Sequence, residues 1–375
     1  ENACLMHDIG NPPFGHFGEA ALVKWAEDNL ESYAKDLRLD YAAIKPLLTD
    51  FYEFDGNPQG IRIVSRLHCE KDEFALNLTV PSLLSAVKYA RTSGEEKAGR
   101  KIRKKAGYFK SEEAQIEKAY RLIGWPKGFR YPLTYIMEAA DDISYCLSDV
   151  SDAIAKGIIT PAEFLKEFHE MWEQKYGSEE IPVKSLAEKE SVRDFGVEIC
   201  IEISHRAVEA AAEAFVRRYD AFCDSSAEEL ITEDMPMGRV LNVIKDFSVK
   251  RIYQSKEAES IELSGYAVIS GLLERYFGRL LKLPRAEFEA FVAGKKVGGR
   301  AYEQHLFNRL SKRCLKSYQN QLKEWFADDD AVRLYGPDGL EWWLRVHLIV
   351  DHVSAMTDDF ALFEYQMFEG IRINN

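Results

Sequence analysis

Apolar residues recur along this chain at intervals of three and four, the spacing of helices with one face turned inward. Ala21, Leu22, Trp25 and Ala26 set it over residues 19–30, and Ile44, Leu47, Leu48 and Phe51 over residues 41–54. Asp55-Gly56-Asn57-Pro58 interrupts the pattern, which resumes as a helix over residues 59–67 with Pro58 near its start. Pro81 opens another over residues 82–91, and the polar stretch 92–110 reads as a long loop. The most regular helix is predicted over residues 132–155. Thr160, Pro161 and Glu163 then supply the cap, first-turn proline and capping-box acid of a further helix. The period fades in the charged stretch 173–191, a candidate boundary or insert. It returns over residues 192–223, 237–254, 263–281, 301–326 and 339–357. β-Branched pieces at 61–64 and 181–183 suit short strands, but no alternating pattern competes, so the fold class predicted is all-α.

Composition narrows this picture. With 375 residues and 46% hydrophobic content there is material for one large or two smaller domains. The net charge of −13 excludes a protein that coats nucleic acid in general, while leaving room for a local basic pocket. Six scattered cysteines with no Cys-x-x-Cys pair argue against a disulfide framework and for a reducing compartment. No run of eighteen apolar residues and no signal peptide is visible, so a cytoplasmic protein with no membrane partner is expected. A motif rich in metal-ligating residues within a few positions of Glu1 implies a missing upstream segment, because a free terminus would fray it.

That motif is Leu5-Met6-His7-Asp8-Ile9-Gly10-Asn11-Pro12-Pro13-Phe14-Gly15-His16-Phe17-Gly18-Glu19. Imidazole and carboxylate side by side can ligate one metal ion, and the loop can return His16 and Glu19 over it as proton-transfer groups. A His-Asp pair alone is common, but this order within so short a stretch is not. On the helix at 132–155, Asp141, Tyr145 and Asp149 are four apart and share a face. Carboxylates on so apolar a helix need a partner such as a metal ion; the plainer reading is a solvated stripe. The only dense basic cluster, residues 97–105, could neutralise a triphosphate or be a solvated loop, and Lys105 is the residue to single out from it. His68, His169, His205, His305, His347 and His352 sit in no such motif and read as surface or core residues.

His-Asp followed much later by Ala140-Asp141 on a helix resembles the HD-domain metal phosphohydrolases. The full strings around His7 and around Met137-Glu138-Ala139-Ala140-Asp141-Asp142-Ile143-Ser144-Tyr145-Cys146 resemble one branch, the bacterial deoxyguanosine triphosphate triphosphohydrolases. Further similar strings are Phe54 to Gly60, Lys88-Tyr89, Lys105 to Tyr108, and Glu262 to Tyr266 through Ser270 to Glu274. The resemblance is weakest over residues 163–246 and 295–304. It implies an HD-type catalytic core over residues 1–160. Residues 161–375 would then form a helical region packed on that core, completing the pocket and making oligomer contacts. It implies metal ligands His7, Asp8 and Asp141, a catalytic pair His16 and Glu19, and substrate contacts from Asn57, Lys88, Lys105, Tyr145, Asp149 and Glu262. The family's first metal-ligating histidine lies upstream of the His-Asp pair and so is expected outside this chain. The implied activity is cleavage of dGTP, or another dNTP, to deoxynucleoside and tripolyphosphate. One divalent ion per subunit would serve it, Mn²⁺ or Mg²⁺ first, with Co²⁺, Fe²⁺ or Zn²⁺ as alternatives. A homo-oligomer, hexameric in the family's usual form, is expected, with single-stranded DNA as a further partner. The alternatives are another HD-type nucleotide phosphohydrolase, or a non-catalytic regulatory protein that binds nucleotide or single-stranded DNA.

Overall fold

The computed structural model of the chain describes residues 1–69, 74–187 and 199–371. Among them are nineteen α-helices, several short 3-10 and π-helical turns, and one isolated bridge between Thr92 and Tyr108 in place of any sheet. The all-α class follows from the sequence as expected. The most regular predicted helix is observed as Pro132–Ala155, and the capping box of Thr160 and Glu163 opens Pro161–Tyr176. Other boundaries differ. The helix expected over 82–91 is only Val80–Ser85, and the one expected over 301–326 is divided into Ala301–Phe307 and Lys312–Phe326. Residues 61–64, suited to a strand, are helical instead. The helix expected over 192–223 is observed as Cys200–Arg217 and Tyr219–Cys223. Its residues 192–198, and 188–191 of the candidate boundary, lie outside the described residues. No helix among the described residues is long and apolar enough to cross a membrane.

The chain divides into two compact units, each built from separated stretches. The larger comprises Met6–Leu83, Tyr89–Gly128 and Ile261–Asn375. Its centre is the helix Pro337–Ser354, buried at every position from Gly339 to Ser354. A helix buried all round cannot be amphipathic, so its polar residues must find partners inside. Asp351 accepts hydrogen bonds from Arg62 Nε (2.8 Å) and Nη2 (2.8 Å), and His347 Nε2 is 2.9 Å from Asp50 Oδ2. Around it pack Tyr41–Tyr52 and Lys312–Phe326, while Gly15–Asp36 adds Leu22, Trp25 and Leu30 to the same core. Burying each such side chain is worth about 1.5–3 kcal/mol.

The short helix Gly56–Arg62 carries that core to the surface. Its last residue, Arg62, ends in the buried polar network with Asp351, Glu112 (2.8 Å) and Gln321 (3.0 Å). At its other end a carbon added to Gly10 would lie 2.1 Å from both Gly56 O and Gly60 N. The loop after His7 therefore lies backbone against backbone on this helix.

The smaller unit comprises Glu1–Leu5, Leu84–Lys88 and Phe129–Ser260. Its helix Pro132–Ala155 packs against Cys200–Arg217 and Pro236–Arg251, with Ile143, Leu147, Val150, Phe168, Val240 and Phe247 in a core of its own.

Candidate active site

His16 and Glu19 stand one turn apart in the first turns of Gly15–Asp36, in the larger unit. Entry to that helix is unusual, since Phe14 adopts a left-handed backbone (φ 62°) that a bulky residue rarely takes. Two contacts hold it. Phe14 N–H donates to Asp358 Oδ1 (2.9 Å), and the ring fills the space beside Gly265, where an added carbon would fall 2.3 Å from it. The turn aims His16 outward, its side chain 86% exposed, while Glu19 is buried.

Glu19 joins two partners. Its Oε1 accepts from the Gly56 amide (2.7 Å) and its Oε2 lies 2.8 Å from His16 Nδ1. With Nδ1 bonded to a carboxylate, Nε2 is the ring nitrogen left for another partner. The hydrogen bond to Glu19 raises the His16 pKa above its ordinary value. Burial and Lys105 oppose the shift, and Asp55 adds to it. A cavity of about 450 Å³ opens beside this pair, lined by His16, Glu19, Asp55, Arg91, Lys97, Lys104 and Lys105 among others. The basic cluster at 97–105 is thus partly a wall of the site. Of its other members, Arg103 is structural, donating to the Ala90 (3.0 Å) and Glu96 (3.3 Å) carbonyls.

Lys105 is ion-paired with Asp55, whose other oxygen accepts from Asn57 N (3.0 Å) and Asn57 Nδ2 (2.6 Å). Two of the expected substrate contacts therefore meet on one carboxylate. Glu262 is half-buried on Lys256–Gly271 and does not line that cavity.

Lys88, Asp141, Tyr145 and Asp149 belong to the smaller unit. Lys88 Nζ donates to Asp141 Oδ2 (3.2 Å), Asp142 Oδ2 accepts from Lys245 Nζ (2.9 Å), and Tyr253 donates to Asp149. Lys245 also lies over the Tyr145 ring at 5.5 Å. None of Asp141, Tyr145 and Asp149 is fully exposed, so a freely solvated stripe does not describe this face.

His7 Nε2 lies 3.2 Å from Asp8 Oδ2, an imidazole nitrogen and a carboxylate oxygen side by side. The donor chemistry of His7, Asp8 and Asp141 suits a divalent ion. Among the described residues no three His, Cys, Asp or Glu side chains form a metal cluster; His7 and Asp8 belong to the larger unit and Asp141 to the smaller. His347 and His352 are buried in the core, 1% and 7% exposed.

Sequence reasoning gave no role to Asp55, Gly56, Lys245 or Tyr253. Asp before Gly-Asn-Pro is a helix-cap signal and could have drawn attention to Asp55. Lys245 and Tyr253 lie 103 and 104 positions from the carboxylates they meet, beyond any local signal.

The chain matches no protein-family model. It is similar, at 32% identity over 99% of its own length, to a probable deoxyguanosinetriphosphate triphosphohydrolase of Pseudomonas aeruginosa, 77% of which the match covers. At that identity and coverage, the chain belongs to the deoxyguanosinetriphosphate triphosphohydrolase family, a family of hydrolases.

Proposed function

We propose that this enzyme hydrolyses a deoxynucleoside triphosphate, dGTP first, to the deoxynucleoside and inorganic tripolyphosphate. The observation that carries the reading is the chain of contacts from the Gly56 amide through Glu19 to an outward-facing His16, beside a cavity walled by Lys97, Lys104 and Lys105. A triphosphate needs cations to bind it, and these lysines supply them within an acidic protein. In the reaction water attacks the α-phosphorus, the bond to the 5′-oxygen breaks, and that oxygen takes up a proton. His16 is the group for proton exchange there, and Glu19 holds its ring and tautomer. Asn57, Lys88, Tyr145, Asp149 and Glu262 are proposed as further substrate contacts.

An HD-type core and one divalent ion belong to the same reading, with His7, Asp8 and Asp141 as the ligands. When bound, such an ion would polarise a phosphoryl oxygen. A symmetric homo-oligomer is expected from the family resemblance alone; the apolar Trp342, Trp343 and Leu348, which would also suit an oligomer contact, are buried within the single chain. The test is product analysis with dGTP and Mn²⁺, run with and without a chelator. Tripolyphosphate released only in the metal-replete sample is the result expected. Diphosphate or monophosphate as the first inorganic product would reject the reading, and unchanged turnover under chelation would remove the metal from it.

A further inference from the structure

Asp55 is 4% exposed and begins the helix Gly56–Arg62. Capping alone would occupy one of its oxygens: Oδ1 accepts from Asn57 N (3.0 Å), as a serine or asparagine could do equally well. The same oxygen also takes Asn57 Nδ2 (2.6 Å), and Oδ2 takes the ammonium of Lys105, fifty positions away on another loop. Only a carboxylate gives both a cap and a charge for that ammonium. The next residue, Gly56, donates its amide to Glu19 (2.7 Å). Two consecutive residues therefore anchor the cationic wall on one side and the His16–Glu19 pair on the other.

We propose that Asp55 is a positioning residue that fixes Lys105 and Asn57 in place for the phosphates of the substrate, acting through them and not by touching the substrate. The inference rests on the reading of this cavity as a triphosphate site. A lysine held by a buried carboxylate keeps its ammonium in one place before the ligand arrives, so less ordering is needed on binding. The charge state is consistent. Burial pushes the Asp55 carboxyl up, but Lys105 and Asn57 outweigh it and hold it below its ordinary value. Lys105 in turn is raised by Asp55 against the effect of burial.

The test is a double-mutant cycle in the full chain with Asp55→Asn, Lys105→Met and the pair. It is read first by calorimetric binding of inorganic tripolyphosphate and then by dGTP kinetics. Asp55→Asn is expected to weaken tripolyphosphate binding on the order of tenfold, the loss of one charged hydrogen bond. KM for dGTP should rise in parallel with kcat little changed, and the double variant should bind no worse than Lys105→Met alone. Unchanged or tighter binding by Asp55→Asn would overturn the proposal, as would full additivity with Lys105→Met. If Asp55→Asn unfolds, Asp55→Ser keeps the cap and carries the same expectations. The binding arm needs no turnover, so a wild type that binds tripolyphosphate but does not cleave dGTP rejects the proposed function and leaves Asp55 to be judged by the cycle.

Discussion

A histidine that is largely exposed ordinarily titrates close to its free value, and His16 is shifted upward because Glu19 accepts a hydrogen bond from its Nδ1. The carboxylate stabilises the imidazolium, so whichever limb of the activity profile His16 carries is displaced to higher pH. Glu19→Gln removes that charge, and the limb is expected to move to lower pH in a kcat/KM profile; a limb that stays put would take His16 out of the proton transfer. Gly56 is a second point of control. A carbon there would lie 2.3 Å from Asn11 Oδ1 and 3.2 Å from Glu19 Oε1, so the ends of both side chains would have to give way, the Glu19 carboxylate included. Gly56→Ala should lower kcat by roughly 10–100-fold through misplacement of Glu19, checked by turnover against thermal unfolding of the same variant. The pairing of His16 with Glu19 was legible in the sequence because both fall in one short motif. The helix that carries them starts at Gly15 and not at residue 19 as expected, so His16 stands on the helix and not in the loop. The link from Glu19 to Gly56 spans 37 positions and the link from Asp55 to Lys105 spans 50, and no periodicity encodes either.

Among elements, Gly56–Arg62 shows how two ends of a short helix can serve different purposes. Arg62 is 1% exposed and its guanidinium is shared among Asp351, Glu112, Ser111 and Gln321. Arg62→Met is expected to leave two carboxylates buried without their cation and to cost about 3–5 kcal/mol, measurable by urea unfolding. Turnover of the folded fraction should fall too, because the same helix presents Gly56 and Asn57. A loss under 1 kcal/mol would mean the network relaxes without the arginine. Helix Pro132–Ala155 was legible to both its ends, since its apolar spacing is regular and Pro132 sits in the first turn. The helix expected over 82–91 was not. Ala90 N–H donates to Ile102 O (2.8 Å), Gly107 N–H to Arg91 O (2.9 Å) and Ser93 N–H to Tyr108 O (3.1 Å). Those long-range partners take the backbone groups a helix would have used, and tertiary pairing overrides local propensity. With that pairing Lys97, Lys104 and Lys105 line the cavity, a placement that composition alone could not give.

For the whole molecule, the net charge of −13 opposes a polyanion at long range. Lys97 and Lys104 beside His16 set exposed positive charge against it, in a lining that also holds Glu19, Glu27, Glu53 and Asp55. Replacing Lys97 and Lys104 together by glutamine should lower kcat/KM for dGTP and flatten its fall with added salt. An unchanged salt response would show that these two exposed lysines do not steer the substrate. Charge and composition only left room for such a pocket, and its walls could be assigned only from the fold. One contact within the larger unit bears on how the protein is made. Phe14 is tied to Asp358 across 344 positions. At ordinary rates of translation the two are synthesised on the order of tens of seconds apart. Throughout that interval the turn before His16 lacks this anchor, and the Phe14 ring lacks the glycine it packs on until residue 265 has been made. The turn before His16 is therefore fastened only late, and a nascent chain stalled before residue 358 would carry His16 and Glu19 without the contact that aims them.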